Sequence, residues 1–289
     1  MFNPLLGLLV LISLRDGETP SRMLDLERMA MQYTVPQNLR STNSSHDDFA
    51  PSYDPTYERL VFTSDRLGLS RSYAVSTDSV LAQGANAVAV PGTMNEEGTS
   101  RAWIRIGLDG SVVGTAWMKH RHRSYAGLVS VARDGDAFNC GAPIDVVNGE
   151  YFTSHPTISP DGSRLVFSSS RGGSDNLDLY VSERLSGGHW REPVLLGASV
   201  SSVGDEISPY FVSADTLVFA SNGMGGRGGF DLFLTVYRDG SWQEPEPLEF
   251  CNSEFDDSDF IRMPNGDILF ASNRPGGAGG FDLYLSRLR

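Results

Sequence analysis

One apolar tripeptide recurs along this chain at a fixed interval, and few folds satisfy that constraint. Leu60-Val61-Phe62, Leu165-Val166-Phe167, Leu217-Val218-Phe219 and Ile268-Leu269-Phe270 place a phenylalanine at steps of 105, 52 and 51 residues. The first step is two periods long, so a further copy is expected near residue 115, where Val112 to Trp117 supplies a degenerate version. Turn residues precede the anchors: Asp54-Pro55, Leu108-Asp109-Gly110, Ser159-Pro160-Asp161-Gly162 and Pro264-Asn265-Gly266. Runs of β-branched and aromatic residues bounded by such turns read as strands. A strand before the turn (His155 to Ile158), a second apolar run after the anchor (Phe281 to Leu285) and an outer strand opened by tryptophan (Trp190 to Leu196, Trp242 to Leu248) make four strands, a to d, per period. Four short strands at this spacing are the size of a propeller blade.

The final copy ends without a d strand, and the missing piece lies at the other end. Val35 to Leu39, followed by the polar stretch to Pro51, matches Glu244 to Leu248 followed by Cys251 to Phe260. The sequence therefore predicts an all-β, five-bladed β-propeller of four-stranded blades, its ring closed by an N-terminal strand that completes the last blade. Residues 35–289 form the propeller. Residues 21–34 are a lead-in, with helical spacing over Ser21 to Gln32. Residues 1–20 carry the apolar run Leu5 to Leu14, of signal-peptide length and too short to span a membrane.

The motifs Ser159 to Gly173 (S-P-D-G-S-R-L-V-F-S-S-S-R-G-G) and Ser272 to Tyr284 (S-N-R-P-G-G-A-G-G-F-D-L-Y) resemble the WD-like β-propeller repeats of TolB-like periplasmic propellers and of Bacteroidetes-type envelope proteins that carry an OmpA-type domain. The resemblance covers residues 35 to 289 and implies an exported propeller used for protein contacts; a propeller by itself specifies no one function. The aspartate of F-D-L-Y recurs as Asp178, Asp231 and Asp282, whereas the first two copies carry Arg71 and Gly127 there. No OmpA-type domain follows the last repeat, so cell-wall anchoring is not carried over.

Alternating strand direction sorts the loops: d-to-a and b-to-c loops share one end of the ring, a-to-b and c-to-d loops the other. The first end gathers acids (Asp47-Asp48, Glu96-Glu97, Glu150, Asp205-Glu206, Glu254, Asp256, Asp257, Asp259) and bases (Arg66, Lys119 to Arg123, Arg171, Arg227, Arg274). What recurs with the repeat is expected to be structural, including Asp178, Asp231 and Asp282 accepting from glycine-loop amides. What does not recur is the candidate for function: Lys119-His120-Arg121-His122-Arg123, His46 and His155, with Tyr151 and Phe255. The binding residues expected are Arg66, Lys119, Arg121, His122, Arg123, Asp257 and Arg274, acting by electrostatic orientation of an envelope protein or a glycan.

The alternative is a glycan-active enzyme, for which Asp48, Glu206 and Asp257 are the funnel carboxylates; glycoside hydrolysis needs two such groups flanking one bond. Their matching repeat positions argue against it, and no G-x-S-x-G elbow is present. The glycine loops Gly223 to Gly229 and Gly276 to Gly280 precede strands, not the helix a phosphate cradle requires. With 36 acidic against 23 basic residues and a pI near 4.7, the chain repels phosphate except at the Lys119 to Arg123 loop, and nucleic acid is not expected as a partner. Histidines and cysteines show no metal-ligand spacing, so neither metal nor cofactor is expected. Cys140 is expected in a c-to-d loop and Cys251 in a d-to-a loop, too far apart to bridge. The protein is expected to be a monomer of the periplasm or exterior, with the cytoplasm as the alternative.

Overall fold

The computed structural model describes residues 30–82, 86–120, 123–173 and 176–289. The expected signal-like run and most of the expected lead-in helix lie outside the described residues; residues 30–32 are helical.

After β1 (Gln37–Asn38), blade 1 is β2 (Asp48–Asp54), β3 (Arg59–Ser64), β4 (Arg71–Ser76) and β5 (Val88–Ala89). Blade 2 is β6 (Arg101–Ile106), β7 (Val112–His120), β8 (Arg123–Asp134) and β9 (Ala137–Pro143). Blade 3 is β10 (Thr153–Ile158), β11 (Arg164–Ser169), β12 (Asp178–Glu183) and β13 (Val194–Leu195). In blade 4, β14 (Glu206–Ser213), β15 (Thr216–Ser221) and β16 (Asp231–Arg238) carry a divided outer strand, β17 (Ser241–Trp242) and β18 (Glu246–Pro247). Blade 5 is β19 (Asp257–Arg262), β20 (Ile268–Ser272) and β21 (Asp282–Ser286), with β1 as its outer strand through Gln37↔Leu285 and Asn38↔Tyr284. The five-bladed ring is thus closed by the N-terminal strand. Cys140 sits within β9, not in a c-to-d loop, because the long hairpin of blade 2 extends its outer strand to Pro143.

The recurring tripeptide is explained by burial on both faces of the second strand, which gives an unbroken apolar run. Phe62 packs with blade 5 residues such as Leu283, while its neighbour Val61 packs with Ile104 and Phe138 of blade 2. Phe167 and Val166 divide in the same way between blades 2 and 4. Each junction between blades is consequently a separate core. Phe62, Phe167, Phe219 and Phe270 are fully buried, each contributing about 1.5–3 kcal/mol by burial. Blade 2 departs from the pattern: register puts Gly114 where the others have phenylalanine. A β-carbon there would lie 2.8 Å from Met94 Cε, and Met94 and Phe138 fill the space instead.

Every innermost strand also breaks register at the same place, between Phe49 and Ser52, Ala102 and Arg105, Ser154 and Thr157, Ile207 and Tyr210, and Ser258 and Ile261, and that of blade 4 shifts again between Phe211 and Ser213. Inside each bulge one residue is left-handed: Ala50 (φ 52°), Trp103 (48°), His155 (53°), Ser208 (52°) and Asp259 (55°). Such a conformation costs an L-residue roughly 1–2 kcal/mol. It recurs at the same place in all five blades. The bulges bring neighbouring blades into contact at the centre: Ser208 Oγ donates to Asp259 at 2.7 Å, and the Trp103 and His155 rings lie 4.3 Å apart.

Candidate functional site

The face formed by d-to-a and b-to-c loops is built on two repeated polar devices. The first is a clamp within a blade. Asp48 and Asp257 open their inner strands opposite Ser64 and Ser272, and both are wholly buried. In blade 5, Arg274 Nε donates to Ser272 Oγ at 2.9 Å, its Nη2 to Asp257 at 2.5 Å and to the Cys251 carbonyl at 2.6 Å, and its guanidinium lies 5.0 Å from the Phe270 and Tyr284 rings. In blade 1, Arg66 does the same with Ser64 (2.8 Å), Asp48 (2.8 Å), the Thr42 carbonyl (3.1 Å) and the Tyr73 ring (4.3 Å). The second device is a latch between blades. Asp47, Asp205 and Asp256 each accept the backbone N–H that opens the third strand of the preceding blade, from Phe281 (2.8 Å), Leu177 (2.8 Å) and Phe230 (2.9 Å).

Arg66, Asp257 and Arg274 are therefore engaged inside the fold. The carboxylates named for hydrolysis are equally enclosed. Asp48 accepts the Ser44 amide and Arg66; Asp257 accepts the Ser253 amide and hydroxyl and Arg274. Glu206 takes the Ser202 amide and hydroxyl and the Ser221 hydroxyl. Burial pushes the Glu206 carboxyl upward, opposed by those serine donors. Its blade has Gly223 where an arginine would stand, and a β-carbon there would lie 2.1 Å from Ser202 Oγ. In the glycine loops Asp231 accepts the Arg227 and Gly228 amides at 2.8 and 2.9 Å, and Asp282 accepts the Ala278 and Gly279 amides at 2.5 and 3.2 Å. Asp178 opens β12 at the same position, next to residues 174–175, which lie outside the described residues.

Around blade 2 both devices are replaced. At the clamp's acidic position, register places Arg101 in blade 2 and Thr153 in blade 3. At the latch's position the d-to-a loops carry Ser100 and Phe152. Arg171 still donates to Ser169 Oγ at 3.1 Å and to the Val147 carbonyl, but it has aromatic rings, Tyr151 and Tyr180, around it and forms no ion pair among the described residues, with Glu192 acting only electrostatically. Trp117 is 56% exposed and meets Phe152 edge-on at 6.1 Å; Tyr151 is 45% exposed. The β7–β8 hairpin carries Lys119, paired with Ser124, and His120, paired with Arg123, to its tip on this face. Arg121 and His122 lie outside the described residues. His155, expected on this rim, is instead buried at the centre. Burial there pushes its imidazole down to about 4, only partly offset by Asp259. His46 remains exposed on the loop face.

Comparison with known proteins places this geometry among propellers. No protein-family profile and no curated protein matches the chain. TolB of Acinetobacter baumannii superposes with a TM-score of 0.53 at 15% identity, over 84% of this chain and 55% of that one. The chain thus spans little more than half of TolB. A glycoside hydrolase superposes at 0.63 with 10% identity over 93% and 96% of the two chains. The GH62 α-L-arabinofuranosidase catalytic domain of Coprinopsis cinerea superposes at 0.58 with 14% identity over 88% and 96%. At these identities the likeness is one of fold. It does not choose between binding and hydrolysis.

Proposed function

We propose that the protein is a non-enzymatic binding propeller of the cell envelope, and that it receives an acidic partner protein on the loop face around blades 2 and 3. The observation that carries this reading is where the symmetry fails. The arginine clamp holds blades 1 and 5 and the latch three of the five junctions; around blade 2 both are missing together, and cations and exposed aromatics take their positions. In sequence this sector carries Lys119, Arg121, Arg123, Arg101 and Arg171 with Glu96, Glu97 and Glu150, in a chain whose net charge is −13. Arg101 is paired with Glu96 at 3.3 Å, so in this reading the basic hairpin sequence Lys119 to Arg123 supplies the charge that meets the partner. Exposed Trp117 and Tyr151 supply the apolar contact that anchors an interface. Arg66, Arg274 and Asp257 hold the neighbouring loops in place.

An envelope location rests on the signal-like run Leu5 to Leu14 and on the resemblance of the repeat to exported propellers. No helix among the described residues is long and apolar enough to cross a membrane. The test is capture from envelope extract by the full chain beside the triple variant Lys119→Glu, Arg121→Glu, Arg123→Glu. The expected result is one partner bound by the parent, weakened by salt, and about 100-fold weaker with the variant at unchanged Tm. Capture indifferent to the reversal would sink the reading, and turnover of a soluble glycan would favour the enzyme.

A further inference from the structure

On the opposite face, the mouth of the ring opens into a cavity of about 640 Å³, within the range of small-molecule sites. Its floor takes one residue from each inner strand just past the bulge: Ser52, Arg105, Thr157, Tyr210 and Ile261. Its walls are mostly apolar, with Ile106, Leu108, Ile158, Phe211 and Val212 among them. The charged residues in the lining are Arg105, Arg238 and Arg262 against one acid, Asp215. An apolar cavity with an excess of cations, in a strongly acidic protein, calls for an occupant that is apolar and anionic.

Arg105 identifies where the anion belongs. It is only 7% exposed, and its two described hydrogen bonds are to neutral carbonyls: Nη1 to Pro51 at 2.9 Å and Nε to Pro156 at 3.4 Å. The Tyr210 ring lies 5.5 Å away, and its hydroxyl is committed to the Arg262 carbonyl at 3.0 Å. Among the described residues no carboxylate forms an ion pair with Arg105. Asp259 acts on it electrostatically, but that carboxylate is held by Ser208 at 2.7 Å and Ser258 at 3.3 Å. A buried guanidinium without an ion-pair partner is an unfavourable arrangement unless an anion completes it. Arg262 adds a buried Nε with no hydrogen-bond partner among the described residues, its guanidinium otherwise engaged by Tyr33.

We propose that this cavity is a second binding site, independent of the loop face, for an apolar molecule bearing a single carboxylate, with the carboxylate seated on Arg105 and the hydrocarbon against Ile106, Ile158 and Val212. The test is calorimetric titration of the full chain with dodecanoate, dodecan-1-ol and decanoate below their aggregation limits. Dodecanoate should bind with one-to-one stoichiometry, at least tenfold tighter than the alcohol and about tenfold tighter than decanoate, as expected for two fewer buried methylenes. Arg105→Met should abolish the preference for acid over alcohol. Val212→Trp, which fills the cavity and keeps Arg105, should abolish binding of both. Equal binding of acid and alcohol by the parent overturns the role of Arg105. No binding, or binding that survives Val212→Trp, overturns the site.

Discussion

Blades 5 and 2 carry out the same architectural task with different parts. Blade 5 follows every element of the repeat: Phe270 in the core, the Asp257–Arg274 clamp, the Asp256 latch, and Asp282 tying its glycine loop. Blade 2 has Gly114 for the phenylalanine, Arg101 for the acid and Gly127 for the loop aspartate, and it compensates with Met94, Phe138 and a longer hairpin. The lesson is that the polar pattern of this repeat is a device for holding loops, and that blade 2 keeps its place in the ring without it.

The largest effect that would break this contrast is on stability. Replacing Arg274 by Met leaves Asp257, which has no exposed surface, without its countercharge. It is expected to cost roughly 3–5 kcal/mol in urea unfolding. The equivalent Arg171→Met removes no ion pair and is expected to cost about 1 kcal/mol, since hydrogen bonds and ring packing alone are lost. Similar losses in both would contradict the assignment of the clamp.

The central position of blade 3 should produce the next largest effect. His155 is held neutral with its imidazole pushed down to about 4 by burial, against an ordinary value of 6.5. The unfolded chain therefore binds a proton that the folded chain refuses between those values. The stability contribution is complete above pH 6.5 and falls as pH drops toward 4, by about 3 kcal/mol. His155→Asn, which tolerates the left-handed backbone, should flatten that part of the pH–stability curve relative to the parent; parallel curves would show that the histidine is not the titrating group.

What all five blades share should give the smallest effect. Ala50 pays the left-handed penalty with no polar group to recover it, so Ala50→Gly is expected to raise stability by about 0.5–1 kcal/mol in thermal unfolding. A loss instead would mean that the methyl group packs more usefully than the backbone strains.

The ring, its count and its closure were legible in the sequence because an apolar run buried on both faces leaves a signature that needs no partner to be read. The sorting of loops to two ends was legible from strand alternation alone. The blade 2 anchor was legible only as a position: nothing in Gly114 announces that Met94 and Phe138, twenty or more residues away, fill its place. Recurrence argues against catalysis by Asp48 and Asp257, yet the sequence still groups Asp257, Arg66 and Arg274 with Lys119 to Arg123 as binding residues, and only distances show that Arg66 and Arg274 clamp Asp48 and Asp257. The opposite cavity was illegible for a different reason. Each inner strand carries a bulge, so alternation counted from the sequence loses the register just before Arg105, and a lone arginine in a strand gives no sign that it faces a shared void.

The proposed binding surface is the sector of the loop face around blades 2 and 3. A photo-crosslinking amino acid placed at Tyr151, beside blade 2, and separately at Phe255, beside the complete clamp of blade 5, tests this directly, since both side chains are about equally exposed at 45% and 40%. Adducts with the captured partner from position 151 and none from 255 are predicted. Adducts from 255 alone, with 151 silent while the partner is bound, would contradict it.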